Sequence, residues 1–272
     1  EHIGRLPASR ARDRREIDLL AGLGLSLIST QGYTAAELEP SYQRAAALCQ
    51  TAEDIPFQVI YGLCSVLATR GDRDGFAMLK PQVQKIAETS PHAALRVWAH
   101  TALGMTCTFQ NEYEEAVEHC ERAVALVTEN DPKMLLDMLM AHGSDALLYG
   151  HFYGAVAHGF RGNAPRAHEL LDQAKAIADR LNHRYIDVML RASSILVYIL
   201  LGELDGLLEL CTKTLHASRE NGFVFFVATS LQYRGYLLGV RGEFDAAVAE
   251  QRESLAQIKA MGLTEEAARA AL

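Results

Sequence analysis

The sequence has little of what a disulfide-linked, zinc-binding or membrane-spanning protein needs. Its five cysteines are an odd number, lie far apart and include no CxxC pair, so we expect neither a disulfide framework nor a zinc site. The longest wholly apolar run, Ile195 to Leu201, is far shorter than the roughly 20 residues that cross a bilayer. No charged-then-apolar signal segment opens the chain. These absences predict a protein of the reduced cytosol, the cytoplasmic compartment.

Positive charge and catalytic signatures are also scarce. The 272 residues carry 26 Lys and Arg against 34 Asp and Glu, a net charge of −8, which argues against direct nucleic acid binding. The basic opening from Arg5 to Arg15 is interrupted by Asp13 and is interpreted as a linker, with phosphate contact the weaker alternative. The sequence lacks the patterns GxxxxGK[ST], HExxH, GxSxG and a GxGxxG after a strand, so we expect no enzyme activity and no cofactor.

A repeat of about 40 residues is what the sequence does contain. Each unit is marked by Gly or Asn, two or three polar or aromatic residues and then an apolar-rich stretch. The marks are Gly32, Gly71, Asn111, Gly162, Gly202 and Gly242, with steps of 39, 40, 51, 40 and 40. We place the 11 extra residues of the long step in an insertion over residues 131–142.

Each unit has the apolar spacing of two helices of about 16 to 20 residues, and strand signals are missing. A capping box is predicted at Thr34 and Glu37, and a second helix start at Asp131 and Pro132. We expect Pro40 and Pro81 to kink or break second helices. The sequence therefore predicts an all-α, right-handed α-solenoid of about six helix pairs. It forms one domain over residues 1–272, with a linker at 1–12 and a truncated or capping helix at 263–272.

The small residues of the units match the tetratricopeptide consensus, in which two helices cross closely. The third unit fits best, with Gly104 in its first helix, Tyr113 after the turn, and Ala116 and Ala123 in its second helix. The second and fifth units replace small residues with Phe76 and Leu207. The match is tetratricopeptide-like, with helices longer than those of the 34-residue standard.

Three segments carry a wider resemblance: REIDLLAGLGLSLISTQGYTAAELEPSYQRAAALC, HGSDALLYGHFYGAVAHGFRGNAPRAHELLDQAKAIADRLNH and GFVFFVATSLQYRGYLLGVRGEFDAAVAE. The chain resembles the helical-repeat C-terminal region of large bacterial signalling proteins, in which the repeats follow an AAA-like or signal-transduction ATPase. The front end of that family is a winged-helix DNA-binding domain or a class III nucleotide cyclase. The resemblance implies a sensor or scaffold segment, and since the sequence begins at Glu1 we expect a fragment of a longer regulator that carries those domains.

The family's architecture puts positions two, five, nine and twelve of each first helix in a concave groove. Here they are Gln58, Tyr61, Ser65, Trp98, Thr101, Met105, Tyr149, Phe152, Thr229, Gln232 and Tyr236. Aromatic and uncharged side chains dominate, which favours an apolar helix, an extended peptide or a flat small molecule over a clamped carboxylate or phosphate. The alternative is that these side chains cover one another or a neighbouring domain of the parent protein.

Histidines and cysteines are interpreted as packing residues. His151 and His158 lie seven residues apart on one helix, which is too far for both rings to reach one metal ion. Cys64, Cys107, Cys120 and Cys211 occupy repeat positions where small or medium apolar residues pack. The hypothesis is thus a non-catalytic module that binds a protein, peptide or small effector. A scaffold acting in cis, or a self-association domain that would form a homodimer, is the alternative, and a hidden enzyme comes third.

Overall fold

A computed structural model describes residues 9–31, 35–49, 55–129 and 146–261, together with Pro7. Over these residues the chain forms twelve α-helices and no strand. They are α1 (Arg10–Gln31), α2 (Leu38–Ala47), α3 (Phe57–Arg70), α4 (Arg73–Thr89), α5 (Ala93–Phe109), α6 (Tyr113–Glu129), α7 (Ala146–Phe160), α8 (Ala164–Leu181), α9 (Arg184–Leu200), α10 (Leu207–Glu220), α11 (Val224–Val240) and α12 (Phe244–Ala260).

The helices form six antiparallel pairs, in which the odd-numbered helix is the first and the even-numbered helix the second. Each second helix from α2 to α10 packs between the first helix of its own pair and the first helix of the next. The first helices also pack against one another in series, from α1 through α11, so they form the inner layer. This arrangement is an α-solenoid and confirms the fold class predicted from the repeat.

The repeat marks are the residues at which first helices end. All the marks in the described part of the chain have a positive φ: Gly71 (68°), Asn111 (64°), Gly162 (71°), Gly202 (73°) and Gly242 (82°). A left-handed residue closes the helix C-terminus, and glycine or asparagine adopts that conformation at least cost. The 40-residue period is therefore the period of helix termination.

Small residues hold the two helices of a pair close together. A Cβ on Gly104 would lie 2.4 Å from Cys120 Sγ, because α5 and α6 cross there with almost no space between them. Ala116 and Ala123 are fully buried on the other side of the same crossing. In α4 the corresponding position is filled by Phe76, which is 1% exposed, so the second pair buries a large ring where others bury a methyl group.

Several sequence expectations about helix ends are wrong. α2 begins at Leu38 with Glu37 as its N-cap, so Glu37 is not the third helical residue that the capping box requires; Thr34 lies outside the described residues. Pro40 lies in the first turn of α2, where the missing N–H has no partner to lose. α4 continues without a break through Pro81.

Residues 10–12 of the expected linker are helical, since α1 begins at Arg10, and residues 1–6 lie outside the described part of the chain. The insertion at 131–142, its Asp131 and Pro132 cap, and the helix at 263–272 lie outside the described residues.

Candidate binding groove

A cavity of about 100 Å³ opens on the inner layer, between the first helices of five successive pairs, α3, α5, α7, α9 and α11. No charged side chain is among its 18 lining residues. Five are hydroxyl residues (Ser65, Thr69, Thr108, Ser193, Thr229), eight are aromatic (Phe109, Tyr149, Phe152, Tyr153, Phe160, Phe225, Phe226, Tyr233) and five are aliphatic (Met105, Val156, Met189, Ala192, Leu196). Its volume is of the order that holds one small aromatic ring.

All five hydroxyl residues of the cavity donate their proton to their own helix. Each Oγ lies 2.7–2.9 Å from the carbonyl oxygen four residues earlier. A hydroxyl has one proton and two lone pairs, so in this arrangement the five oxygens are hydrogen-bond acceptors toward the cavity. The Ser and Thr hydroxyls therefore offer acceptor lone pairs to a ligand, and the donors among the lining side chains are the phenol groups of the tyrosines.

Aromatic rings connect the cavity with the core beneath it. Tyr149 packs against Tyr153 and against Tyr61, with ring centroids 6.4 and 5.8 Å apart. Tyr61 in turn meets Trp98 edge-on at 5.0 Å. Burial raises the pKa of Tyr61, Tyr153 and Tyr233 well above that of a free phenol, so these side chains are neutral at physiological pH.

The structure brings only some of the predicted groove residues to the cavity. Those that line it are Ser65, Met105, Tyr149, Phe152 and Thr229. Trp98 and Thr101 are 1% and 0% exposed and lie in the core, because α5 is covered on its inner side by α3 and α7.

The other predicted residues also lie off the cavity lining. Tyr61 and Gln232 are buried and Gln58 is half-buried. Tyr236 is 43% exposed at the C-terminal end of the solenoid. As residues that bind a ligand, all of them remain predictions.

The positional rule missed two rows of the inner face. Counting each mark as position fifteen, the sixth position gives Tyr153, Ser193 and Tyr233, and the thirteenth gives Thr69, Phe109 and Phe160; all six line the cavity. The fifth unit also lacked candidates. The second, fifth and ninth positions there are Met189, Ala192 and Leu196, so the same rule applied to that unit identifies three more lining residues.

Charged groups are concentrated on the second helices instead. Lys80 Nζ of α4 lies 3.0 Å from Glu115 of α6, and Arg219 of α10 lies 2.8 Å from Glu253 of α12. Between them, Glu121 of α6 accepts two hydrogen bonds from Arg166 of α8, at 2.7 and 2.5 Å. These ion pairs join neighbouring second helices across the outer face, while the inner layer is left uncharged at the cavity.

The histidines contact protein groups. His158 Nε2 lies 3.1 Å from Glu121, and its Nδ1 lies 3.3 Å from Asn163. His100 and His119 face each other with their Nδ1 atoms 3.0 Å apart, and burial lowers the pKa of both rings, that of His100 to about 4. Since two cationic rings would repel at that distance, the pair is stable with at least one ring neutral.

The cysteines are packing residues, as predicted. Cys64, Cys107, Cys120 and Cys211 are buried, and burial raises the pKa of the Cys64 thiol to about 12. Cys107 lies near Glu112 and Glu115, and among the described residues this is the one group of three side chains close enough to share a metal ion. Lys80 already neutralises those carboxylates.

No helix in the described part of the chain has the length and apolarity that a membrane crossing requires.

Comparison with known proteins agrees with this architecture. A family model described as tetratricopeptide repeat matches residues 99–133, which include most of α5 and all of α6. The chain thus contains a tetratricopeptide-like helical-repeat region. No curated protein matches its sequence.

Among solved structures, the fold is similar to that of a Rap protein crystallised in complex with competence and sporulation factor. The TM-score is 0.65 at 12% sequence identity, over 94% of this chain and 69% of the Rap chain. At that identity the likeness concerns the fold.

Proposed function

We propose that the chain is a non-catalytic interaction module that binds an uncharged partner segment or small effector in the groove of its inner layer. The observation that carries this proposal is the cavity itself, which five first helices line with aromatic, aliphatic and hydroxyl side chains and without a charge. Tetratricopeptide-like solenoids use their inner face as an extended binding surface. The Rap structure, which holds a bound factor, has the same helical architecture.

The wider proposal places this module in a bacterial signalling or transcriptional regulator of the cytoplasm. Occupancy of the groove would be passed to an ATPase and an output domain elsewhere in the parent protein. The family resemblance supports this context. The second candidate function is a scaffold acting in cis, which is favoured by the apolar side chains exposed on α11 and α12.

The test introduces a charge into the cavity and compares it with the same charge outside. Ser193→Lys places an ammonium group among the lining residues, whereas Thr212→Lys places one on exposed α10. The two positions are well matched, because both hydroxyls donate to the carbonyl four residues earlier, each at 2.8 Å. Fluorescence of Trp98, the single tryptophan, checks that each variant keeps its core.

Each purified protein is incubated with native cell extract, and the proteins and small molecules it retains are identified by mass spectrometry. We expect one species to be retained by the wild type and by Thr212→Lys, and lost with Ser193→Lys. Retention by all three proteins would refute the groove as the binding site. Retention by none would favour the scaffold.

A further inference from the structure

Two histidine rings from different helices meet in the third helix pair. His100 of α5 and His119 of α6 are 19 residues apart in the sequence, and their Nδ1 atoms lie 3.0 Å from each other. The ring centroids are 5.3 Å apart, so each Nδ1 lies on the side of its ring that faces the other ring. Neither ring is among the residues that line the cavity of the inner layer. A pattern within one helix does not show this pair, because its members come from two helices.

The distance between the two nitrogens is close to that between two ligands of one metal ion. A tetrahedral zinc ion is bound by histidine nitrogen at about 2.0–2.1 Å, so two such nitrogens lie about 3.3–3.4 Å apart. The His100 and His119 rings reach that arrangement by a small tilt and separation. Both rings are half-buried, and burial lowers the pKa of each, so they are in the neutral form that a metal ion requires.

A carboxylate of α6 supplies a third ligand. Glu115 lies four residues before His119, the spacing at which two side chains of one helix reach the same ion. Among the described residues, no third His, Cys, Asp or Glu ligand atom lies within 4.8 Å of both histidine nitrogens. Glu115 therefore completes the site by leaving Lys80, whose Nζ lies 3.0 Å away. The Glu115 side chain is 53% exposed, and an exposed ion pair of this kind is weak, so the exchange costs little.

Charges of both signs face the two rings and balance in number. Three carboxylates favour a bound cation, and three basic groups oppose it. They are Glu88, Glu115, Glu118, Lys80, Arg96 and Arg122. The affinity of the site therefore depends on its nitrogen ligands and not on a field of negative charge. This favours zinc, nickel or copper, for which imidazole is a suitable ligand, over magnesium or calcium, which prefer oxygen.

We propose that His100, His119 and Glu115 bind one divalent transition-metal ion, with Zn²⁺ as the reference ion and water in the fourth position. In the metal-free pair one Nδ1–H donates to the other Nδ1. On binding, that ring changes tautomer and holds its proton on Nε2, so both Nδ1 lone pairs face the ion. Because the ligands come from α5 and α6, the bound ion links the two helices of the third pair and stabilises the folded chain.

Titration calorimetry of Zn²⁺ into the untagged, metal-stripped chain tests the site. The variants His100→Gln and His119→Gln each remove one nitrogen ligand and keep a polar side chain of similar size. The matched control is His216→Gln on α10, because His216 is exposed and also pairs with a carboxylate four residues away, at 3.2 Å from Glu220. Fluorescence of Trp98, two residues from His100, checks that each variant keeps its core.

We expect the wild type to bind one Zn²⁺ with a micromolar dissociation constant that excess Mg²⁺ leaves unchanged. Loss of a group that only supports a metal ligand costs about 10–100-fold in affinity, so loss of either histidine should cost at least about tenfold. Glu115→Gln should weaken binding by a smaller factor, and His216→Gln should bind as the wild type does. The melting temperature of the wild type should rise with the Zn²⁺ concentration, and that of His119→Gln should not.

A competing location for the ion is the group formed by Cys107, Glu112 and Glu115. Co²⁺ in place of Zn²⁺ distinguishes the two, because a thiolate ligand adds an intense near-ultraviolet charge-transfer band to the weak visible bands of a nitrogen and oxygen site. We expect the visible bands alone. The charge-transfer band, Zn²⁺ affinity unchanged in His100→Gln, or no Zn²⁺ bound by the wild type far above micromolar concentrations would each overturn the proposal, whatever the groove binds.

Discussion

Replacement of Gly104 by alanine tests whether the close crossing of α5 and α6 sets the packing of the repeat. The new Cβ would lie 2.4 Å from Cys120 Sγ and 3.3 Å from two backbone atoms, the Ala116 oxygen and the Cys120 nitrogen. Overpacking of this kind costs about 1–3 kcal/mol, and the better helix propensity of alanine returns about 1 kcal/mol. We expect a net loss of about 1–2 kcal/mol in the free energy of unfolding.

Two further variants separate the clash from a general effect of alanine. In Gly150→Ala the nearest side-chain atoms would lie 3.4 and 3.6 Å away, an ordinary contact, so the propensity gain of about 0.5–1 kcal/mol should be realised. Cys120→Ala removes the sulfur but not the backbone atoms, so it should rescue Gly104→Ala only in part, with a coupling energy of about 1 kcal/mol.

Urea unfolding followed by circular dichroism at 222 nm measures all four variants, the double variant included, against the wild type. Gly104→Ala should lower the midpoint and Gly150→Ala should raise it. If Gly104→Ala is as stable as the wild type, or if the coupling energy is zero, steric contact between α5 and Cys120 does not explain the small residues of the repeat.

Three further predictions concern a glycine that ends a helix, the buried histidines and an ion pair on the outer face. Gly162→Ala keeps open space around its Cβ but requires φ near 71°, so it should cost about 1–2 kcal/mol in urea unfolding. Burial lowers the pKa of His100 and His151 to about 4, so the folded chain binds fewer protons than the unfolded chain and stability should fall as pH drops from about 6.5 to 4. His151→Phe should weaken that dependence in denaturation midpoints measured across the range. Arg166→Gln removes both hydrogen bonds to Glu121 and should cost about 1–2 kcal/mol at pH 7. The Arg166 hydrogen bonds hold the pKa of Glu121 below its ordinary value, so this loss should shrink as the pH falls through that lowered pKa; thermal melts over a falling pH series measure this.

The repeat could be predicted from the sequence because the position at which a first helix ends has a strong preference for particular residues. A left-handed terminal residue admits few side chains, so Gly71, Asn111, Gly162 and their equivalents recur where first helices end. Glu37 is the N-cap of α2 and not its third residue, because a four-residue pattern does not contain the packing that starts α2 at Leu38. Pro81 predicts a kink or a break, and α4 continues through it without a break.

The groove could be predicted only in part, because burial of an inner-face residue depends on both neighbouring first helices. Trp98 and Ser65 lie at groove positions of the same pattern, yet Trp98 is buried against the ring of Tyr61 while Ser65 reaches the cavity. Whether the residues at the sixth and thirteenth positions line the cavity depends on how wide the inner face is. That width depends on how closely the first helices approach one another. A pattern within one helix does not give that distance.

The layered contacts of the solenoid have a mechanical consequence. In the described part of the chain, the substantial packing of each helix is with helices no more than two places away along the chain, so no long-range contact locks the curvature. Rotations of a few degrees at successive junctions between first helices therefore add up along the solenoid. A ligand bound between α3 and α11 would therefore change the pitch of the solenoid, and the two ends would move by more than any single side chain does.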